Sequence, residues 1–150
     1  MSNSASEGWT PDTEDNGYVR QRGPFLIKGM SIGLLAGMGA FIYNGTQFLP
    51  FEIAVQLLLV PMLLAGGFAR LFASSLRESV RLALTGFFVG VATFVGAWVA
   101  PLWILSYSPV ARDVLLPKLA GSAISAGFLT FSPAYLGGYL LTVSVSVLWE

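Results

Sequence analysis

Glu52 is the one charged side chain between Lys28 and Arg70, and Gln56 follows it by about one helical turn. A carboxylate and a carboxamide on one face of an apolar helix could hold a cation or pass a proton. A carboxylate inside a membrane segment is a functional hypothesis by default. Arg70 lies 18 residues beyond Glu52, about five turns, so the three make a rough polar stripe. A structural reading competes with it. Pro50 opens a helix, Glu52 stands in its first turn where the macrodipole favours an anion, and Arg70 stands in its last, where it favours a cation. Gln56 is the better buried polar candidate, suited to bonding a neighbouring helix.

Little else could do chemistry. The chain has no histidine and no cysteine, which removes disulfides, thiolate nucleophiles, the usual haem and iron–sulfur ligands and most zinc sites. It also removes the side chain best suited to proton transfer near neutral pH. Gly29, Gly33 and Gly37 resemble a phosphate loop in spacing, but they lie in an apolar helical pattern with no strand before them and no lysine after. No catalytic residue, metal ligand or cofactor emerges, and an intramembrane enzyme would need a nucleophile–base pair or a carboxylate dyad. Arg70, Arg77 and Arg81 form a basic cluster that could contact anionic lipid headgroups, or could only set topology. Ser122, Ser125, Thr130, Thr142, Ser144 and Ser146 make the last segment rich in hydroxyls, which in membrane helices usually bond back to their own backbone.

The elements that would position these residues are membrane helices. Of 150 residues, 55% are hydrophobic and 11% charged, less than half the charge of an ordinary soluble domain. The mean hydropathy is +0.71. No charge separates Arg81 from Arg112, a stretch longer than the roughly 20 residues that cross a bilayer. The expected fold is an all-α, polytopic integral membrane protein. Residues 1–23 are expected to form a disordered polar tail, and 24–150 a transmembrane domain with spans near 24–43, 51–72, 76–100 and 118–149. Asn44-Gly45 marks the first turn, Pro61 a kink in the second span, and Ser75 with Glu78 a capping box. Residues 102–117 read as an interfacial connection with a short helix begun by Ser108 and Pro109. The last span is long and kinked near Pro133; five spans, turning at Ser132-Pro133, are the alternative.

Small residues recur at helical spacing in two spans. Gly29, Gly33, Ala36 and Ala40 form one stripe, and Ala83, Gly86, Gly90, Thr93, Ala97 and Ala100 another. Each lets backbones approach closely, and the expected partner of the second stripe is span one, with an oligomer interface as the alternative. A bulky residue at Gly90 should therefore disturb packing where one at Val89 is tolerated. An offset of 51 residues lays Gly39, Gly45 and Pro50 over Gly90, Gly96 and Pro101, a weak sign of a duplicated hairpin.

Arg20, Arg22, Lys28, Arg70, Arg77 and Arg81 fall on one side of this topology, against Arg112 and Lys118 on the other. That places both termini in the cytoplasm, in a multi-pass protein of the cell membrane. With eight acidic and eight basic residues, net charge points to no nucleic-acid partner. The partners expected are the lipid bilayer and either a second copy or another membrane protein. The leading function is a non-enzymatic accessory or scaffold subunit acting through helix packing. The alternative is a small oligomeric channel or transporter using Glu52 and Gln56.

Overall fold

Asn44-Gly45 ends the first helix where the sequence places a turn. The computed structural model describes residues 15–45, 57 and 59–149, and among them every regular element is a helix. In α1 (Asp15–Asn44) the Gly45 amide closes the last turn on the Phe41 carbonyl at 2.9 Å. The start of α1 differs from expectation, because residues 15–23, assigned to the disordered tail, are helical and the helix runs through Pro24. Propagation from a formed apolar helix avoids the cost of nucleation.

Helix α2 (Val60–Leu71) is preceded by a tight 3-10 turn at residues 57 and 59, so Pro61 opens the helix instead of kinking its middle. The missing proline N–H falls where amides have no intrahelical partner. Helix α3 (Leu76–Val99) has the predicted cap, Ser75 Oγ accepting from the Glu78 amide at 3.2 Å. The Glu78 carboxylate reaches one residue further back than a capping box requires, accepting from the Ser74 amide at 2.8 Å. Ala100 stays helical and α4 (Pro101–Ile104) continues the line, so Leu76–Ile104 is one apolar stretch of 29 residues.

The last third departs furthest from the expected boundaries. Ser108 caps α5 (Pro109–Ala126) as expected, accepting from the Ala111 amide at 3.3 Å, but the helix is not short. It passes Pro117, widens to a π-turn at Gly127–Phe131 and continues as α6 (Ser132–Leu148), 40 residues in all. The chain does not turn back at Ser132-Pro133. In an α register the ring of Pro133 would press on the Leu129 carbonyl; the wider turn, with the Ser132 amide on the Gly127 carbonyl, absorbs it. Gly23–Asn44, Leu76–Ile104 and Pro109–Leu148 are long and apolar enough to cross a membrane, whereas the 12 residues of α2 reach only about 18 Å.

Facing residues fix the helix directions. Gly29 meets Thr85, Gly33 meets Val89 and Gly37 meets Thr93, so α1 and α3 run parallel. Gly138 meets Leu63, Gly67 meets Thr142, and Arg70 bonds Ser146, so α2 and α6 also run parallel. Gly39 beside Met62 with Lys28 beside Phe72 makes α1 and α2 antiparallel, and Tyr135 beside Ala83 with Gly127 beside Phe94 does the same for α3 and the last helix. Two antiparallel hairpins thus lie side by side. Their core joins Ile32, Ala36, Met62, Ala65, Leu82, Phe94, Phe131 and Tyr135. The outer face is equally apolar, with Ile27, Leu64, Phe88, Phe128 and Leu129 exposed, as expected of helices that are hydrophobic all round.

Candidate functional site

The first small-residue stripe is a continuous buried seam. Gly29, Gly33, Ala36 and Ala40 are all buried on the face of α1 that meets α3 and α2. A side chain at Gly33 would lie 2.5 Å from Val89 Cβ and 2.8 Å from the Gly86 carbonyl, so only hydrogen fits. The second stripe is buried at Ala83, Gly86 and Gly90 and half-buried at Thr93, Ala97 and Ala100. Gly86 touches Ile32, while a Cβ at Gly90 would stand 2.6 Å from the Phe131 ring and 3.2 Å from the Gly33 carbonyl. Gly90 therefore serves two neighbours, α1 and the π-turn. Val89 is not outside this seam: its side chain fills the space over Gly33, which corrects the expectation of a neutral neighbour.

Sequence reading missed Gly37 as a packing position: a Cβ there would lie 2.5 Å from the Gly90 carbonyl and 2.8 Å from Thr93 Cβ. It also missed the second seam, between α2 and α6. A Cβ on Gly66 would run into the Tyr135 carbonyl, and one on Gly138 into the Leu63 carbonyl. Here two helices touch backbone to backbone. The only signal in the sequence is the pair of doublets Gly66-Gly67 and Gly137-Gly138, which lie outside the two small-residue stripes.

The polar groups lock these seams. Tyr135 is fully buried and its hydroxyl donates to the Ala83 carbonyl at 3.0 Å. Its ring stacks on Phe131 at 5.5 Å between centroids, and Phe87 leans on both. Ser79, also fully buried, donates to the Tyr139 hydroxyl at 3.3 Å. At the other end Asn44 donates to Ala40 O at 2.9 Å and to Thr130 Oγ1 at 3.3 Å, tying the end of α1 to the π-turn. The hydroxyls of Ser122, Thr130, Thr142 and Ser146 all bond carbonyls of their own helix. The Tyr135, Ser79 and Asn44–Thr130 bonds join helices, whereas those four hydroxyl bonds stay within one.

The basic residues separate. Arg70 is half-buried against α6, its Nε donating to Ser146 Oγ at 3.2 Å, whereas Arg77 and Arg81 are exposed on α3. Lys28, not singled out for contact, donates to the Phe72 carbonyl at 3.3 Å, a cation on the negative end of α2. Arg112 lies over the Trp103 ring, 5.7 Å from its centre. Glu52 and Gln56 lie outside the described residues. Among the described residues no group of carboxylates could hold a metal ion. A cleft of about 360 Å³ lies between Arg70, Leu71 and Ala73 on one side and Thr142, Val145, Ser146 and Trp149 on the other. A second, of about 320 Å³, runs beside it along Leu64, Gly67 and Leu141 and shares Leu71 and Thr142. Comparison with protein-family models, curated proteins and solved structures finds no match for this chain.

Proposed function

We propose that this chain is a four-span protein of the cell membrane, acting as a non-enzymatic accessory or scaffold subunit through helix packing. The observation that carries this reading is the pair of glycine seams. Gly33, Gly37 and Gly90 close α1 on α3, and Gly66 and Gly138 close α2 on α6. Contacts this tight make a rigid bundle whose described interior polar groups bond one another. The remaining outward faces, apolar on every helix, are what such a subunit would offer to lipid and to a membrane-embedded partner.

The two hairpins support the reading of four spans. The Lys28 contact on Phe72 returns α2 to the level of Lys28, near the start of the apolar stretch Gly23–Asn44, and α3 leaves from there. The 12 residues of α2 cover only part of a second crossing. Lys28, Arg70, Arg77 and Arg81 collect at the end where α6 also finishes, which favours that end, and both termini, facing the cytoplasm. The experiment is Glu52→Gln in reconstituted vesicles. A helix-start carboxylate loses only about 0.3–1 kcal/mol of charge–dipole interaction, so the protein should stay folded and any ion flux should stay at the parent's level. A folded variant that has lost a flux seen in the parent makes the chain a channel.

A further inference from the structure

Val80, Leu84 and Phe87 follow Arg77 at steps of three, four and three, so all four share one face of α3. Beyond Arg77 that face lines a cleft of about 210 Å³, with the small Ala83 beside it and Leu136 and Tyr139 of α6 as the facing wall. The hydroxyls that could make the wall polar are engaged elsewhere: that of Tyr139 accepts from Ser79, and that of Tyr135 donates to the Ala83 carbonyl. What remains is hydrocarbon. Arg77 precedes the cleft and Arg81 flanks its first turn, and both are exposed. Among the described residues neither guanidinium has a hydrogen-bond or ion-pair partner. From Arg77 to Phe87 the helix rises about 15 Å, half of a hydrocarbon core of roughly 30 Å. Two cations at headgroup depth over an apolar cleft one leaflet deep match an amphiphile with a negative head. We propose that this cleft holds an acyl chain of one anionic phospholipid, with the lipid phosphate on Arg77 and Arg81.

The opposing charge nearest in sequence is Glu78, and its carboxylate is turned back onto the Ser74 amide at 2.8 Å. On the facing helix no charged residue occurs from Leu136 to Trp149, so no carboxylate of that wall neutralises the pair. Long side chains on a helix lean toward its N-terminus, which lets both arginines lie along the first turns of α3 and reach the headgroups. A second copy of the chain suits the cleft less well. A two-fold axis along the membrane normal would bring the same face of each copy together, setting Arg77 and Arg81 against their own counterparts. The inference rests on the membrane reading and is independent of the scaffold role.

Native mass spectrometry of the detergent-purified full chain tests it, with phosphatidylglycerol and phosphatidylcholine of identical acyl chains as probes. One arginine at the headgroups is worth about fivefold in affinity for an anionic lipid. Arg77→Gln should therefore hold its first phosphatidylglycerol about fivefold less tightly than the parent, and Arg77→Gln with Arg81→Gln about 25-fold less. Both should hold phosphatidylcholine as the parent does. Lys118→Gln, which removes an exposed charge on α5 at the opposite end, should match the parent. Leu136→Trp fills the cleft without touching charge and should weaken both lipids. Leu129→Trp, the same substitution on another outward face, should weaken neither. Millimolar inorganic phosphate should displace neither lipid. Parent-level retention of phosphatidylglycerol by the folded double variant, an equal loss in Lys118→Gln, or displacement by phosphate alone overturns the site. Unchanged retention by Leu136→Trp also overturns it, and decides the matter if the double variant fails to fold. A parent dimer that Leu136→Trp dissociates puts a second copy in the cleft and removes the lipid from it. A parent that holds neither lipid overturns the site, and if it also stays dispersed without detergent the membrane reading falls with it.

Discussion

Adding one methyl group at Gly90 tests the seam more sharply than any large substitution. An alanine Cβ there would lie 2.6 Å from Phe131 Cζ and 3.1 Å from Cε2. The ring cannot swing aside, because Phe131 is fully buried and stacked on Tyr135 with Phe87 against it. On the other side the Gly33 carbonyl stands at 3.2 Å. Overpacking of this kind costs about 1–3 kcal/mol. Glycine to alanine in a helix also gains about 1 kcal/mol of propensity, so the raw change at Gly90 mixes two terms of opposite sign. Gly96 supplies the reference. It lies in the same helix with nothing within 4 Å of its would-be Cβ, so Gly96→Ala carries the propensity gain alone. The difference between the two variants should therefore be about 1–3 kcal/mol against Gly90→Ala. At roughly 2–4 °C per kcal/mol for a chain of this size, that is about 2–12 °C in Tm. Thermal unfolding in detergent followed by circular dichroism reads it directly. Equal midpoints for Gly90→Ala and Gly96→Ala would falsify the claim that α1, α3 and the π-turn meet at this residue.

Tyr135→Phe keeps the ring stack and removes only the bond to the Ala83 carbonyl, so it should lower stability by about 0.6 kcal/mol, and by no more than about 1.7; a loss of several kcal/mol would mean the hydroxyl has a role beyond that bond. Ser75→Ala should cost about 0.5–2 kcal/mol, since it strips the α3 cap, and Ser75→Asn should restore most of it in the same unfolding assay. Because the chain lacks cysteine, Ser74→Cys and Ser108→Cys can be labelled singly with an impermeant maleimide. They should react from opposite sides of the membrane, and labelling from one side would refute the hairpin of α3 with the last helix.

What the sequence carried well was local chemistry. Ser75 and Glu78 announce a helix start by residue type and spacing, and the cap forms there. Asn44-Gly45 stops α1. The glycine stripe of α1 was legible because four small residues on one face of an apolar helix have few other uses. Prolines misled. Pro24 and Pro117 were given boundary roles, yet each lies in a helix that continues; the last helix does run on through Pro133, as expected. A proline removes one bond, and neighbouring apolar residues can outweigh that loss, at Pro133 by widening the turn. The α2–α6 seam was hidden for a different reason. Which glycines touch depends on which helices are neighbours, and that pairing is set by the whole bundle, not by either segment. The groove at Arg70 shares this property, since Arg70 and Ser146 meet only after α2 and α6 dock.

The parallel pairing of non-consecutive helices has a consequence for how the chain is made. Gly37 finds its cover only when Thr93 has been synthesised, and Gly67 only when Thr142 has. At roughly 5–20 residues per second, the glycine face of α1 waits about 3–11 s and that of α2 about 4–15 s. During that interval the first hairpin carries both bare backbone grooves, which in a membrane lipid chains would fill loosely. Assembly then requires lipid to be squeezed out of both grooves as the second hairpin arrives. Slowing translation between the two hairpins should lengthen the life of the half-built bundle, and anything that binds small-residue faces would compete for it during those seconds.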